Sequence, residues 1–403
     1  MNYSKKLNVQ ATSSLTLHFL VVFFFYASLK ISGFPILSRS GFPIEENHDL
    51  LLTFKQTQCE LGRCPDFVYP RFAYFAFSYL SPSIESIQIL SWINTIALSF
   101  MFAVLLMRFN LIWQKTLAML VFSATPIQVL MLTQNVDVFC VLLIFFAARA
   151  RHVNLSFILL CLAALLKYYP IISLLPFFIL HRGYFLKRRI EFALLTLTSL
   201  ILIAGLILDF LDNHALSKMI IGPLNSFGLQ SFYMWFSFYP DFNLKETVAS
   251  ITKLSSYCFF GFTTWFMYKS KLVDRVSKRL IIQLMEKSQL KANRRNPMLA
   301  DLYFLCSGLF CYIFNMNWDY RLLLILIPAV RISLVTRSKI LYIMTATSAF
   351  LTQYTFEQSE VYGKWLLQLL GDFTLFFLCG FLLALILNMV LKNRSSFNLS
   401  GSI

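Results

Sequence analysis

The chain has 403 residues, of which 58% are hydrophobic and only 13% are charged, and its mean hydropathy is +0.67. Soluble globular domains carry about 25% charged residues, so this composition excludes an ordinary soluble enzyme or binding module and predicts a polytopic membrane protein. The formal net charge is +16. Its Lys and Arg residues cluster in short loops between apolar segments, which is the pattern of cytoplasmic loops in membrane proteins and not of a nucleic-acid-binding surface.

The N-terminal part of the chain predicts two crossings separated by a long outer segment. Lys5 and Lys6 indicate a cytoplasmic N terminus. The apolar stretch 15–31 is predicted as an uncleaved anchor, because no small-x-small cleavage site follows it cleanly. Residues 32–83 are predicted as the first exoplasmic loop, and the next span returns to the cytoplasm at Arg108.

Residues 165–180, LLKYYPIISLLPFFIL, place a lysine and a proline in the middle of a long hydrophobic run. A lysine at the centre of a membrane helix costs at least about 2.5–3.5 kcal/mol. Basic clusters flank this run on both sides, and both can be cytoplasmic only if the run crosses the membrane an even number of times. The sequence therefore predicts a tight hairpin of two short helices, with KYYP (167–170) at its exoplasmic tip and Pro170 starting the returning helix.

The remainder of the chain continues the same alternation. Residues 269–297 carry nine Lys or Arg and two acidic residues and are predicted as a basic cytoplasmic loop. The whole chain, 1–403, is predicted as one all-α, polytopic transmembrane helical bundle in a plasma (inner) membrane, with both termini cytoplasmic. The roughly twelve predicted crossings, short hairpin helices included, are 15–31, 86–106, 116–133, 138–148, 157–166, 171–180, 192–210, 247–268, 299–314, 322–330, 340–354 and 365–391.

Two cysteines, Cys59 and Cys64, lie in the predicted first exoplasmic loop. An oxidising compartment would allow a disulfide between them, but spacing alone leaves the pairing open. No residues have zinc-ligand spacing, and no glycine-rich phosphate-binding motif is present. No metal site and no cofactor is therefore predicted, and dependence on a divalent metal is left open.

Polar residues collect at the predicted exoplasmic ends of the spans. Any one of these segments could simply be solvated or cap a helix. Polar groups at membrane-embedded tips are costly, however, unless they line a wet or ligand-filled cavity. Their convergence predicts a ligand site on the exoplasmic face. The segments are EENHD (45–49), CPDFVYPR (64–71), TQNVD (133–137), KYYP (167–170), FYPDF (238–242) and NMNWDYR (315–321).

The residue types suit a sugar attached to a phosphate. Lys167 and Arg321 can hold a phosphate or diphosphate, and Gln134 and Asn135 can hydrogen-bond sugar hydroxyls. A carboxylate can take the proton of a hydroxyl that becomes a nucleophile. Together these features favour glycosyl transfer from a lipid-phosphate sugar. The aromatic residues able to pack on sugar faces are Tyr69, Tyr168, Tyr169, Trp318 and Tyr320.

The order of these motifs resembles that of the GT-C superfamily of integral membrane glycosyltransferases, and within it the polyprenol-phosphate-mannose-dependent α-mannosyltransferases. The likeness spans about residues 49–328. It is carried by Asp49, FVYP (67–70), QNVD (134–137), KYYP (167–170) and NWDYRLLLILIP (317–328).

The resemblance implies a GT-C-like fold and an exoplasmic active site. It also implies transfer of a monosaccharide, mannose or another hexose, from a polyprenyl-phosphate donor to a lipid-linked or cell-envelope glycan acceptor, with inversion at the sugar carbon. The implied partners are this donor, the glycan or glycolipid acceptor and membrane lipid.

The family's catalytic acid lies in the first outer loop, and the residue that matches it here is Asp49. Three other acids lie in the same loop and remain alternatives: Glu45, Glu46 and Asp66. Arg71 follows FVYP where related chains often carry a second proline, which leaves the shape of that turn open.

Two other classes of protein use lipid-linked sugars. A polysaccharide polymerase or ligase also uses outer-face arginines but depends less on an acid in the first loop. A lipid-linked sugar transporter or flippase would show inverted repeats, or broken helices in matched positions of two halves. Only one broken hairpin is clear in this sequence.

Overall fold

The regular structure of the residues described below is helical apart from one two-residue antiparallel pairing. The computed structural model describes residues 2–32, 70–80, 84–107, 109, 111–123, 127–128, 130–131, 134–181, 184–185, 188–212, 226–227, 246–289, 298–314, 317–351 and 362–391.

Fourteen α-helices lie within these ranges: α1 Asn2–Ser32, α2 Arg71–Leu80, α3 Ile84–Leu106, α4 Ile112–Phe122, α5 Asp137–Ala147, α6 Val153–Leu166, α7 Leu174–Leu180, α8 Arg189–Asp212, α9 Glu246–Lys269, α10 Lys271–Gln289, α11 Met298–Phe314, α12 Leu323–Thr336, α13 Lys339–Leu351 and α14 Tyr362–Leu391. The short elements are the 3₁₀ helices Tyr169–Ser173 and Asp319–Leu322 and the strands β1 Ser226–Phe227 and β2 Asn317–Trp318.

Helix α12 lies at the centre of the bundle. Its sequence, LLILIPAVRISLVT, is apolar almost all round, and every residue in it except Val335 is buried, as expected of a helix surrounded by others. It packs against α4, α10, α11 and α13. The contact with α11 is close at Gly308, where a Cβ atom would lie 2.7 Å from Ile325 Cγ1 and 3.0 Å from a backbone carbon of Leu324. A small residue is therefore required at this helix crossing.

Helix α8 shows the opposite pattern at the periphery. It is strongly apolar, yet Ser199 and Leu206 are its only buried residues. An apolar helix that turns its side chains outward suits a lipid environment. Within the described part of the chain, four helical segments are long and apolar enough to cross a membrane: Ser13–Ile31, Glu85–Leu106, Arg189–Asp212 and Leu370–Leu391. Seven shorter apolar helical segments accompany them in the same ranges. The helical, membrane-type class of the prediction is confirmed, whereas the count of about twelve crossings stays a prediction.

Two predicted elements differ in detail from the structure. The stretch 116–133 was expected to form one crossing, but α4 already ends at Phe122, where Ser123 caps it. The sequence places Pro126 just beyond, which disfavours a continuing helix. The segment 269–297 was expected to be a loop, but it contains α10, whose Val273, Val276 and Leu280 are buried against α12 and α14. Their spacing of three and four residues makes α10 an amphipathic helix.

The polar side chains discussed below lie at two ends of the bundle. The Lys167 end contains Asp137, Lys167 and Arg321, and the Arg331 end contains Asp301 and Arg331. Arg331 lies within α12, and Arg321 lies in the 3₁₀ helix that leads into it. The offset of ten residues between them separates the two ends by roughly 15 Å at about 1.5 Å per helical residue.

Candidate functional site

The hydrophobic run that contains Lys167 is broken where the sequence predicted a turn. Helix α6 ends just before Lys167, whose backbone is extended (φ −146°, ψ 147°). Pro170 lies in the first turn of the following 3₁₀ helix, where its missing N–H costs little. Phe157, near the start of α6, contacts Phe177 of α7, with ring centroids 5.7 Å apart. Helices α6 and α7 therefore run antiparallel, and Lys167 lies at the turn between them.

Two cations meet one carboxylate at this turn. Lys167 Nζ lies 3.4 Å and Arg321 Nε 3.3 Å from Asp137 Oδ2. The hydroxyl of Tyr169 donates to the other oxygen, Oδ1, at 2.7 Å. The side chains of Asp137 and Lys167 are 2% and 8% exposed, and that of Arg321 is 14% exposed. We call these four residues the Asp137 cluster.

The Asp137 cluster contains more cations than carboxylates. Each ion taken out of water costs several kcal/mol, and pairing offsets this cost only with good geometry and further hydrogen bonds. Within the cluster, two cations share one carboxylate. A cationic group buried beside a helix break suits an anionic ligand, and Arg321, the most exposed of the three ions, is the closest to the surface.

The tip that presents Asp137 is built by the two amides before it. Asn135 Oδ1 accepts a hydrogen bond from the backbone N–H of Asp137 at 3.1 Å. Gln134 is fully buried and has a left-handed backbone, with φ 54°. Its Nε2 donates to the carbonyl oxygen of Met131 at 2.5 Å and to Thr95 Oγ1 at 3.4 Å. Its Oε1 has no hydrogen-bond partner among the described residues. Backbone strain of this kind concentrates at functional sites.

Arg321 is positioned by a short 3₁₀ helix that leads into α12. Just before it, β2 pairs with β1, so that Trp318 lies opposite Ser226 and Asn317 opposite Phe227. The guanidinium carbon of Arg321 lies 5.4 Å from the ring centroid of Tyr169, within the range of a cation–π contact. Arg321 therefore contacts both the carboxylate and the aromatic ring of the Asp137 cluster.

A second polar group lies next to the cluster, at the C-terminal end of α8. The hydroxyl of Tyr168 donates to Asp209 Oδ2 at 3.0 Å. Arg71 reaches the same carboxylate through its Nε, 3.2 Å from Oδ1, and also lies 3.3 Å from Asp212 Oδ2. The side chain of Arg71 is 59% exposed, so this group faces the surface. Tyr168 and Tyr169 thus bind carboxylates on two different helices.

The structure brings together four of the residues that the sequence predicted for substrate binding: Gln134, Asn135, Lys167 and Arg321. Tyr320 lies in the same 3₁₀ helix as Arg321. The predicted base, Asp49, and the predicted ligand residue Tyr69 lie outside the described residues. So do the alternative acids Glu45, Glu46 and Asp66, the cysteines Cys59 and Cys64, and the segment 238–242.

Sequence reasoning did not single out Asp137 or Asp209, and it expected Tyr169 to pack on a sugar face. Tyr169 is instead buried, and its hydroxyl binds Asp137. A signal for Asp137 was present, because an acid directly before the apolar run VFCVLLIFFA needs a partner inside a membrane. The identity of the two cations could not be read from the sequence, since they come from distant elements.

Within the described ranges, no group of three or more His, Cys, Asp or Glu side chains is placed to hold a metal ion. Comparison of the chain with protein-family models, with curated proteins and with solved structures gives no match. The fold and the site together define a helical, membrane-type protein with a buried cationic cluster at one end of its bundle.

Proposed function

We propose that this chain is a multi-pass membrane glycosyltransferase of the GT-C type, with about twelve crossings. It moves a hexose from a polyprenyl-phosphate donor to a glycan or glycolipid acceptor on the exoplasmic face. The observation that carries the proposal is the meeting of Lys167 and Arg321 at one carboxylate. Two cations from distant motifs, both chosen from the sequence as phosphate ligands, are neighbours beside a break in a membrane-type hairpin.

The proposed chemistry divides the site into a base and a phosphate clamp. Asp49 takes the proton of the acceptor hydroxyl, and the hydroxyl oxygen attacks the anomeric carbon of the donor sugar. The bond from that carbon to the phosphate oxygen breaks, and polyprenyl phosphate leaves with the bonding electrons. Lys167 and Arg321 stabilise the charge that develops on the leaving phosphate. A single displacement of this kind inverts the sugar carbon.

The direct test is transfer of label. Purified full-length protein is given polyprenyl-phosphate mannose or polyprenyl-phosphate glucose carrying a radiolabelled sugar, with a lipid extract as acceptor. We expect label to move to the acceptor. Because a general base contributes about 10²–10⁴-fold to rate, Asp49→Asn should remove most turnover while leaving donor binding nearly unchanged. Full activity in Asp49→Asn with loss in Glu45→Gln, Glu46→Gln or Asp66→Asn would move the base to that residue.

The orientation in the membrane is tested at the two ends of α8. Arg71 contacts the C-terminal end of this helix and Arg188 directly precedes its start, and both side chains are largely exposed. In a background without Cys59, Cys64 and the exposed Cys258, Arg71→Cys should react with an impermeant thiol reagent added from outside. Arg188→Cys should react only from the cytoplasmic side. The reverse labelling would place the candidate site on the cytoplasmic face and remove the proposed exoplasmic reaction.

A transporter of lipid-linked sugars is the second candidate, and the Asp137 cluster itself favours it. Buried ionisable residues at helix breaks line ion and substrate paths in many transporters. A wild type that transfers no sugar to the acceptor, but shows protein-dependent movement of a lipid-linked sugar across a liposome membrane, would support this class over the transferase.

A further inference from the structure

We propose that Asp137 is a positioning residue that acts as the internal counter-ion of Lys167 and Arg321, and that its charge sets how tightly the site binds an anionic phosphate group. The inference rests on the proposed function only in taking that phosphate to be the one that links the sugar to its lipid. It adds a residue that the proposed reaction does not use.

The geometry gives Asp137 this role. Lys167 and Arg321 both contact the same oxygen, Oδ2, while Tyr169 takes Oδ1. One carboxylate therefore fixes two cationic nitrogens as neighbours, although they belong to the residue that follows α6 and to the 3₁₀ helix before α12. At 2% exposure the Asp137 side chain reaches no bound molecule from the surface, and it acts through the two cations.

The Asp301–Arg331 pair shows why the ratio of charges matters. Arg331 Nη1 lies 2.7 Å from Asp301 Oδ1, and these side chains are 4% and 0% exposed. That contact joins one anion to one cation. In the Asp137 cluster two cations share one carboxylate, and the Arg321 side chain retains 14% exposure. One of the two cations is therefore near a surface where an anion can reach it.

Removing the charge of Asp137 has a consequence that a purely structural carboxylate would not have. The formal charge at the site rises by one unit, and the Coulomb attraction for a phosphate increases. The two cations also lose the group that holds them side by side, so the bound phosphate is less well oriented for transfer. Binding should become tighter while turnover falls. Loss of a purely structural carboxylate would instead weaken binding and lower turnover together.

The experiment measures equilibrium binding of undecaprenyl phosphate to the full-length protein in nanodiscs. We expect Asp137→Asn to lower the Kd by about tenfold or more and Lys167→Met to raise it by a similar factor, because a unit charge is added or removed beside the phosphate. The double variant Asp137→Asn/Lys167→Met restores the formal charge of the wild-type site, and its Kd should be close to that of the wild type. Asp301→Asn breaks the buried pair at the other end and should leave the Kd unchanged in the folded fraction.

Weaker or unchanged binding in folded Asp137→Asn protein overturns the inference, as does a wild type that binds no undecaprenyl phosphate. If Asp137→Asn does not fold, the double variant decides, and a tenfold difference from the wild-type Kd overturns the proposal. Inorganic phosphate serves as a second probe. If the Kd for inorganic phosphate depends on charge in the same way, the headgroup alone is recognised. If the Kd for inorganic phosphate shows no such dependence, the lipid chain is also required.

Label transfer separates this inference from the proposed function. If the protein binds the probe with the expected charge dependence but transfers no sugar, the counter-ion role stands and the transferase proposal fails. If it transfers sugar but its Kd does not depend on the charge of residue 137, the transferase proposal stands and the counter-ion role fails. If both hold, Asp137→Asn should lower kcat and KM together.

Discussion

The two ends of the bundle contain buried carboxylates with different partners. At the Arg331 end, Asp301 near the start of α11 pairs with Arg331 near the end of α12, inside two regular helices that pack side by side. At the Lys167 end, Asp137 binds cations that lie at a helix break and in a 3₁₀ turn. One carboxylate meets one cation in the first pair and two cations in the second group.

This difference separates a contact that suits the fold from one that suits a ligand. A balanced, fully buried pair between packed helices holds those helices in register. Two cations gathered on one carboxylate beside a helix break are a poor way to stabilise a fold, because the ions are expensive to bury. Such groups inside membrane proteins mark substrate and ion sites.

The largest effect is expected at the Arg331 end. Asp301→Asn leaves Arg331 buried without its carboxylate, and breaking a buried pair in this way costs about 3–5 kcal/mol. The free energy of unfolding in detergent, measured by chemical denaturation, should fall by this amount. The double variant Asp301→Asn/Arg331→Met removes both charges and should recover most of the loss. A fall of less than about 1 kcal/mol would mean that the pair stabilises no more than a surface contact, and the contrast between the two ends would disappear.

A smaller effect on stability, and a clear effect on the ligand, is expected from single cations at the Lys167 end. Lys167→Met leaves Arg321 on Asp137, and Arg321→Gln leaves Lys167 there, so neither change strands the carboxylate. Each should weaken donor binding by about 1.5–3 kcal/mol, the value of a charge-assisted contact to phosphate. Titration of the transfer reaction with donor measures this loss of donor binding. Arg331→Met is the matched control, which should destabilise the protein while leaving donor binding in the folded fraction unchanged.

If Lys167 instead only extends its charge towards the membrane surface, Lys167→Met would leave donor use within a few-fold of the wild type. Lys167 would then lose its place in the phosphate clamp. The two ends would differ in geometry but not in function.

The sequence predicted the class of the fold well, and the site in part. The apolar spans are local patterns, and the break at Lys167 followed from a charge, a proline and the parity of the flanking basic clusters. The pairing of Asp137 with Arg321 joins residues 184 positions apart, and no local pattern encodes such a contact. Helix α10 was missed because its charge dominated its apolar stripe, although Val273, Val276 and Leu280 are spaced for one helix face.

The smallest effect tests backbone strain at the two ends. Gln134 at the Lys167 end and Arg337 at the Arg331 end both have φ 54°, a left-handed conformation that costs a non-glycine residue about 1–2 kcal/mol. Arg337 is the exposed C-cap of α12, so Arg337→Gly should stabilise the protein by about 1 kcal/mol with unchanged activity.

Gln134→Gly relieves the same strain, but it also removes hydrogen bonds from Nε2 to Met131 and Thr95, each with a net value of about 0.5–1.5 kcal/mol. The two contributions nearly cancel, so the free energy of unfolding should change by less than about 1 kcal/mol. If the strained tip exists to place Gln134 at the sugar and Asp137 beside the two cations, the KM for the donor should nevertheless rise several-fold. Unfolding in detergent and donor titration on the same preparation measure both quantities. Arg337→Gly is the control, and its donor KM should stay at the wild-type value. If the donor KM also stays at that value in Gln134→Gly, the left-handed Gln134 only shapes the turn and does not contribute to donor binding.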